Sequence, residues 1–344
     1  MSAVTVSLLE AADAPAWDDF VRAAPEATFF HLSGWKRVIE KAFGHKTYYL
    51  VAKREGALAG VLPLTHVKSM LFGNSLISNA FCVHGGIVAV DDEAKRALEA
   101  EAVAIGTREK VDCIEFRSLK PAHPDWVQKP DLYVTFRRPI HPDVDANMKA
   151  IPRKQRAMVR KGIANGLTSV VDSDASRLHD VYAHSVRNLG TPVFSRRYFQ
   201  LLKDEFGEAC DVVTVLNREQ PVASVLNFYF RDEVLPYYGG GTSQARDLAA
   251  NDFMYWEVMR RACERGFRLF DFGRSKVNTG AYHFKRNWGF EPTPLTYEFR
   301  LIAAEKIPEV NPLNPKFQAF IALWRRLPVP LTKLLGPPIV RGIG

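Results

Sequence analysis

The strongest constraint on this chain is that it says one thing twice. Residues 43–64, FGHKTYYLVAKREGALAGVLPL, have a counterpart in residues 206–228, FGEACDVVTVLNREQPVASVLNF. Each opens on Phe-Gly and enters a strand-like stretch. Each then turns through a polar segment, Lys53-Arg54-Glu55-Gly56 in one and Asn217-Arg218-Glu219-Gln220-Pro221 in the other, and re-enters an apolar strand, the pattern of a hairpin. Further along, Gly85-Gly86 answers Gly239-Gly240-Gly241. A helix follows each, with Ala94, Leu98, Ala102 and Ile105 in the first and Trp256, Met259, Cys263 and Phe267 in the second at helical spacing. Both helices lead into a short strand ending acid-Phe, CIEFRS at 113–118 and LFDFGRS at 269–275. Recurrence of hairpin, strand, helix and strand in one order predicts two tandem copies of a single α/β unit.

A length of 344 residues accommodates two domains of ordinary size. The formal net charge of +8 favours an anionic partner: phosphate, nucleic acid or a membrane surface. Cys82, Cys113, Cys210 and Cys263 are scattered without a C-x-x-C pair, which argues against a zinc ribbon or disulfide framework and suits a reducing compartment. The opening residues lack a basic region followed by an apolar stretch, and no apolar run approaches the roughly 20 residues of a spanning helix. A cytoplasmic location is therefore expected.

The copies part company after the acid-Phe strand. The first runs into LKPAHPDWVQKPDLYVTF, read as a proline-bearing loop without a basic cluster. The second runs into DFGRSKVNTGAYHFKRNWGF (271–290), which carries Arg274, Lys276, Lys285 and Arg286 and closes on Trp288-Gly289-Phe290. Unique chemistry is expected there. Between the copies, MKAIPRKQRAMVRKGIANGL (148–167) holds Lys149, Arg153, Lys154, Arg156, Arg160 and Lys161 without one acid. On a helix Arg153, Arg156 and Arg160 share a face, either a solvated surface or a phosphate site. The last forty residues are proline-rich, with an apolar helix signal at Phe317, Phe320, Ile321, Leu323 and Trp324 before Arg325-Arg326. Such a segment packs on the body or lies at a membrane surface.

Several apparent motifs fail. DFG has none of the other kinase elements around it. Gly239-Gly240-Gly241-Thr242 is not followed by the Lys-Ser/Thr of a P-loop. The nine histidines form no H-E-x-x-H pair, and Ser75, Ser78 and Ser224 lack a G-x-S-x-G elbow.

Taken in order, PYYGGGTSQARDLAANDFMYWEVMRRACERGFRLFDFG, HFKRNWGF, FFHLSGWKRVIEKAFG and IPRKQRAMVRKGIANGL resemble elements of the Fem-type aminoacyl transferases. More narrowly, the whole chain looks like the FemAB-like proteins associated with exosortase/PEP-CTERM and exopolysaccharide loci. The resemblance covers roughly residues 28–300. It implies a mixed-sheet α/β fold of two tandem acetyltransferase-like (GNAT) domains, here 1–147 and 148–303, followed by a tail at 304–344 with a short amphipathic helix. It also implies transfer of an acyl or aminoacyl group to an amine of a cell-envelope or exopolysaccharide precursor, with aminoacyl-tRNA as the family-type donor.

Carried over by position, Lys285 matches the family lysine placed to stabilise a tetrahedral intermediate; the plain alternative is a surface lysine in a hairpin. Arg274 and Lys276 would hold an anionic donor or acceptor. Lys154, Arg156, Arg160 and Lys161 would meet phosphates of a tRNA 3′ end or of an acceptor diphosphate, and Arg196 and Arg197 are candidates for the same diphosphate. Trp288 is either a stacking face for a base or a core aromatic, and Gly239, Gly240 and Gly241 form the donor loop. Some positions depart from the family: Ile39 stands where a lysine is usual in the entry helix, between Lys36 and Lys41, and Arg274 replaces the second glycine of D-F-G-G. Asp252 and Asp271 are carboxylates in the right neighbourhood, with Asp271 read as fixing the strand end.

Two further readings stay open. One is an acyl-CoA-dependent N-acyltransferase acting on an amino sugar, although GGGTSQARDLAAND lacks the glycines of the usual pyrophosphate loop. The other is a non-catalytic, anion-binding scaffold of the exopolysaccharide/protein-sorting system. On each reading the tail is a candidate for peripheral contact with the inner membrane. No bound cofactor or metal is expected on any of the three readings.

Overall fold

Both hairpins turn on two residues, and the backbone shows why. Glu55 and Gly56 take φ of 50° and 81°, and Arg218 takes 56°; positive φ in a two-residue turn matches the twist of the strands it joins. The computed structural model describes residues 3–307 and 315–344. In chain order the first elements are β1 (Thr5–Leu8), α1 (Ala14–Ala23), α2 (Gly34–Phe43), β2 (Lys46–Arg54), β3 (Ala57–Ser69), β4 (Gly73–Ser78), β5 (Val88–Ala89), α3 (Asp92–Arg108) and β6 (Cys113–Phe116). Next come β7 (Val127–Pro139), α4 (Val144–Ala150), α5 (Arg153–Ala164), β8 (Thr168–Val171), α6 (Ser176–Leu189), α7 (Arg196–Phe206), β9 (Cys210–Asn217) and β10 (Gln220–Phe230). The chain then forms β11 (Glu233–Gly241), α8 (Ala250–Glu264), β12 (Leu269–Asp271), β13 (Ser275–Lys276), α9 (Gly280–Asn287), β14 (Pro292–Leu301), α10 (Pro315–Trp324) and α11 (Val329–Val340).

These elements form two compact units. The first comprises Met1–Leu132, Leu295–Val310 and Arg341–Gly344, the second Tyr133–Pro294 and Asn311–Val340. The repeat-based boundaries at 147/148 and 303/304 follow chain order, whereas the compact units do not. The sheet of the first unit runs β1-β2-β3-β4-β6-β14, antiparallel except for the parallel pair β4/β6. That of the second runs β8-β9-β10-β11-β12-β7, antiparallel except for β11/β12. The two orders match strand for strand. Each parallel strand is flanked on its far side by an antiparallel closing strand: β14 beside β6, and β7 beside β12. The closing strand of each sheet therefore comes from the segment of chain that follows the other copy.

The helix periodicities hold. Ala94, Leu98, Ala102 and Ile105 are all buried on α3 over Leu50, Leu62, Leu64 and Ile114. Trp256, Met259 and Cys263 are buried on α8, while Phe267 lies beyond the helix end and packs on the same core from the turn into β12. Three expectations change. The segment read as a proline-bearing loop contains β7, a thirteen-residue strand despite Pro130. Gly85-Gly86 does not correspond to Gly239-Gly241: the former lies in the loop after β4, the latter ends β11. The tail holds two helices, and α11 contains Pro337 and Pro338; the side chain of Phe317, expected in the first, lies outside the described residues.

The glycines of β11 are needed for close approach. A methyl group at Gly240 would fall 2.5 Å from Ser185 Cβ on α6, and one at Gly241 would fall 2.5 Å from Ala245 Cβ. Gly280, at the start of α9, has open space around it. Gly240→Ala should therefore lower unfolding free energy by about 1–3 kcal/mol through overpacking. Gly280→Ala should raise it by about 0.5–1 kcal/mol. Denaturant melts of the two variants against wild type test the pair.

Candidate active site

The parallel strands β11 and β12 share only the pairs Glu233↔Leu269 and Val234↔Phe270. From Leu235 onward β11 continues to Gly241 on β10 alone among the described pairings, leaving an opening on the β12 side. In the first unit β4 and β6 stay paired to Ser78↔Phe116. There the following loop closes the position: the Gly85 N–H donates to the Arg117 carbonyl (2.9 Å) and the Arg117 N–H to Ser78 Oγ (3.2 Å). One copy is sealed where the other is open.

Tyr255 of α8 packs over this end of β11. Its hydroxyl would lie 3.1 Å from a methyl at Gly239, and its ring packs 4.9 Å from Phe272 and 5.5 Å from Phe284. Burial and the neighbouring Asp252 carboxylate push the Tyr255 phenol up to about 12. Gly239, Gly240 and Gly241 are not a loop, as expected from the sequence, but the end of a strand registered on Val225, Ser224 and Ala223.

Asp271 terminates β12. Its Oδ1 accepts from the Gly273 N–H (2.6 Å) and from Thr135 Oγ1 (3.2 Å), and Arg137 Nε lies 3.3 Å from its Oδ2. Arg137 also donates to Glu233 Oε2 (2.6 Å). Burial and the Asp271 charge raise Glu233 to about 8, against the pull of Arg137. Gly273, at φ 67°, turns the chain so that its carbonyl and that of Arg274 accept from Lys285 Nζ at 3.0 and 3.1 Å. Lys285 is on α9, capped by Thr279 through the Tyr282 N–H, and is not in a hairpin. It is buried, with Nζ 5.6 Å from the Phe136 ring centroid. Burial lowers its pKa to about 7, with Asp271 raising it and Arg274 lowering it further. An ammonium has three protons, and two are engaged by these carbonyls.

Arg274 and Lys276 lie between β12 and α9, both half-buried, with the Arg274 guanidinium 4.5 Å over the Tyr133 ring. Trp288 is fully buried and offers no face to a base. Its Nε1 donates to Asp252 Oδ1 (3.0 Å), which also accepts from Gln155 Nε2 (2.9 Å). Burial holds Asp252 above the usual carboxylate range although both bonds act the other way. This chain of bonds joins α5, α8 and the end of α9. Gln155, Val159 and Gly162 form the inner stripe of α5, while Lys154, Arg160 and Lys161 are exposed. Arg156 is half-buried and donates to the Lys149 carbonyl.

Arg196 and Arg197 stand apart. They are exposed at the start of α7 and line a separate hollow with Asp174, Ser176 and Gln200. On the entry helix α2, Lys36 pairs with Glu40, Ile39 is fully buried and Lys41 is exposed.

A cavity of about 610 Å³ in the first unit is lined by Gly85, Val88, Asp91, Lys95, Ser118 and His123, among others, and by none of the expected site residues. Beside it, His123 lies between Glu298 and Glu99, with ring nitrogens 3.3 and 3.5 Å from their carboxylates. Glu298 is fully buried. Burial raises its carboxyl, but the nearby His123 ring and bonds from the His123 and Ala122 N–H groups outweigh that and hold it below the usual range. This arrangement pins a loop more evidently than it serves a reaction, and no spacing in the sequence points to it. Arg137 and Glu233 were also missed, because only strand pairing brings them to Asp271.

Residues 148–286 match the family model described as an acetyltransferase (GNAT) domain. With the two matched sheets, this match supports an acyltransferase built on the GNAT fold. No curated protein matches the chain by sequence. Among solved structures it is similar to FemX, at 16% identity over 87% of this chain and 98% of that one, with a TM-score of 0.67. A tandem GNAT protein from the clavulanic acid biosynthesis pathway is similar at 12% identity over 88% and 100% (TM-score 0.55). The C-terminal domain of a putative lysylphosphatidylglycerol synthetase from Agrobacterium fabrum is similar at 12% over 91% and 94% (TM-score 0.54). Within the GNAT class the two-unit fold is FemX-like.

The depressed Lys285 pKa has a stability signature. Between about 7 and the ordinary lysine value of 10.5 the unfolded chain holds a proton that the folded chain has released, so wild-type stability gains from this group as pH rises and loses it as pH falls through 7. Lys285→Met removes that slope. The stability difference between variant and wild type should move in favour of wild type by on the order of 1 kcal/mol per pH unit from pH 7 to 10. Denaturant melts across that range check it.

Proposed function

We propose that the protein transfers an aminoacyl group from aminoacyl-tRNA to an amine of a cell-envelope or exopolysaccharide precursor, at the site around Lys285. In this reaction the amine nitrogen attacks the ester carbonyl and a C–N bond forms. The tetrahedral intermediate then expels the ribose oxygen, and the amine proton is lost in exchange for one on that leaving oxygen. Lys285, charged, donates its third N–H to the oxyanion that develops. A single positioned donor of this kind lowers a barrier by about 3 kcal/mol.

The observation that carries the reading is the buried lysine held by the carbonyls of Gly273 and Arg274 at the end of β12, next to the opening beside β11. The tRNA donor, as against acyl-CoA, is supported by the start of α8. A CoA pyrophosphate is received there in GNAT-type folds by free N–H groups. Here the preceding residue, Ala249, is left-handed (φ 57°), and Asp252 occupies the first turn, so that a carboxyl stands where the pyrophosphate would be received. The exposed cations Lys154, Arg160 and Lys161 on α5 instead suit a longer run of phosphates. Arg274 and Lys276 would hold the anionic end nearest Lys285. Arg196 and Arg197, in their own hollow, suit the diphosphate of an acceptor.

The match to an acetyltransferase domain model favours a second reading, acyl-CoA-dependent acylation of an amino sugar. Thermal shift with acetyl-CoA and with a charged-tRNA 3′-end mimic, offered separately, decides between them: the tRNA mimic alone should stabilise the protein saturably. Stabilisation by acetyl-CoA alone would make the second reading the correct one.

With the donor in hand, Lys285→Ala should lower kcat by about 10²–10³-fold with little change in KM. The wild-type rate should fall as pH rises through about 7, where Lys285 loses its charge. A rate that instead rises through that pH would assign the neutral amine a base role and overturn the oxyanion assignment.

A further inference from the structure

The helices α10 and α11 bury Trp324, Val329 and Val340 but leave a second apolar face open to water. On α11 the hydroxyl of Thr332 is turned inward and bonds the Val329 carbonyl, and Gly336 is buried against the backbone of Val193. Outward stand Leu331, Leu335 and Leu334, the last 72% exposed. On α10 Trp324 is buried, while Phe320 and Leu323 face out, the latter 62% exposed. Leu189, at the end of α6, is 64% exposed, and its carbonyl accepts from Arg325, so it adjoins the same surface. Five exposed leucines and Phe320 on one surface leave apolar area in water and lose hydrophobic stabilisation unless something covers them.

Charge identifies the cover. From Pro315 to Val340 the sequence holds Lys316, Arg325, Arg326 and Lys333 and no aspartate or glutamate. Arg325 and Arg326 are exposed between the two helices, and Lys333 is bound to Asp180 (2.6 Å). A second copy is disfavoured, because an isologous contact would set the same arginines against each other. An anionic bilayer offers both the apolar depth for the leucines and the charge for the arginines. Neither helix is long and apolar enough to cross a membrane, so the contact lies in the plane of the surface.

We propose that the outer face formed by α10, α11 and the end of α6 docks on an anionic phospholipid bilayer. The proposal is independent of the acyl-transfer reading. Full-length protein would be co-sedimented with vesicles of phosphatidylcholine alone and of phosphatidylcholine with one third phosphatidylglycerol, at low and high salt. Binding to the anionic vesicles should exceed binding to neutral ones by about tenfold or more and weaken with salt. Leu334→Glu, Leu323→Glu and Arg326→Glu should each weaken it by about tenfold, with melting temperatures near that of wild type because all three side chains point outward. Equal binding to both vesicle types, or none to either, overturns the proposal. So does concentration-dependent self-association that Leu334→Glu abolishes in the absence of lipid, since a second copy would then be the cover.

Discussion

The parting of β11 from β12 after two shared pairs is the constraint on which the site depends. A parallel strand that loses its neighbour exposes backbone groups that need partners. β12 answers by stopping at Asp271, whose carboxylate takes the Gly273 N–H. The left-handed turn at Gly273 then directs two successive carbonyls inward, and these require donors. Lys285 supplies them from α9. The lysine is buried because the strand end needs it, and its lowered pKa follows from that burial. The place of Lys285 in the fold and its lowered pKa share one cause.

The surrounding charges show how such burial is tolerated. Arg137 sits between Asp271 and Glu233, one cation serving two carboxyls, and Glu233 relieves the excess by holding its proton to about 8. Lys285 lies within the same field. Groups displaced in opposite senses, a carboxyl raised and an amine lowered, concentrate where proton position matters. The Glu298–His123 pair of the first unit lacks that opposition, since its carboxyl is held in the charged form.

The repeat was legible because it is local. The turns at Glu55-Gly56 and Arg218-Glu219 and the buried stripe on α3 are written in short-range pattern. The prominence of 271–290 was legible for the same reason, as a basic stretch that only one copy contains. Long-range pairing was not. β7 looks like a loop because Pro130 interrupts its pattern, and only its pairing with β12 and β13 shows that Tyr133, Val134, Arg137 and Arg138 belong to a strand. α9 has eight residues, too few to display a period, and α11 carries two prolines that ordinarily mark the end of a helix. Trp288 could be read two ways because an indole is equally suited to stacking on a base and to filling a core. Its bond to Asp252 decides the matter, and that partner is 36 residues away.

The provenance of the closing strands has a historical consequence. β14 completes the sheet of the first unit and β7 that of the second, each drawn from the stretch that trails the other copy. A gene cut at the repeat boundary would leave both products with a raw sheet edge, the kind that natural proteins take pains to cover. Once that cross-supply existed, neither repeat was dispensable to the other, even if the chemistry survived in only one. A copy sealed at its own opening would then be kept for the strand it lends.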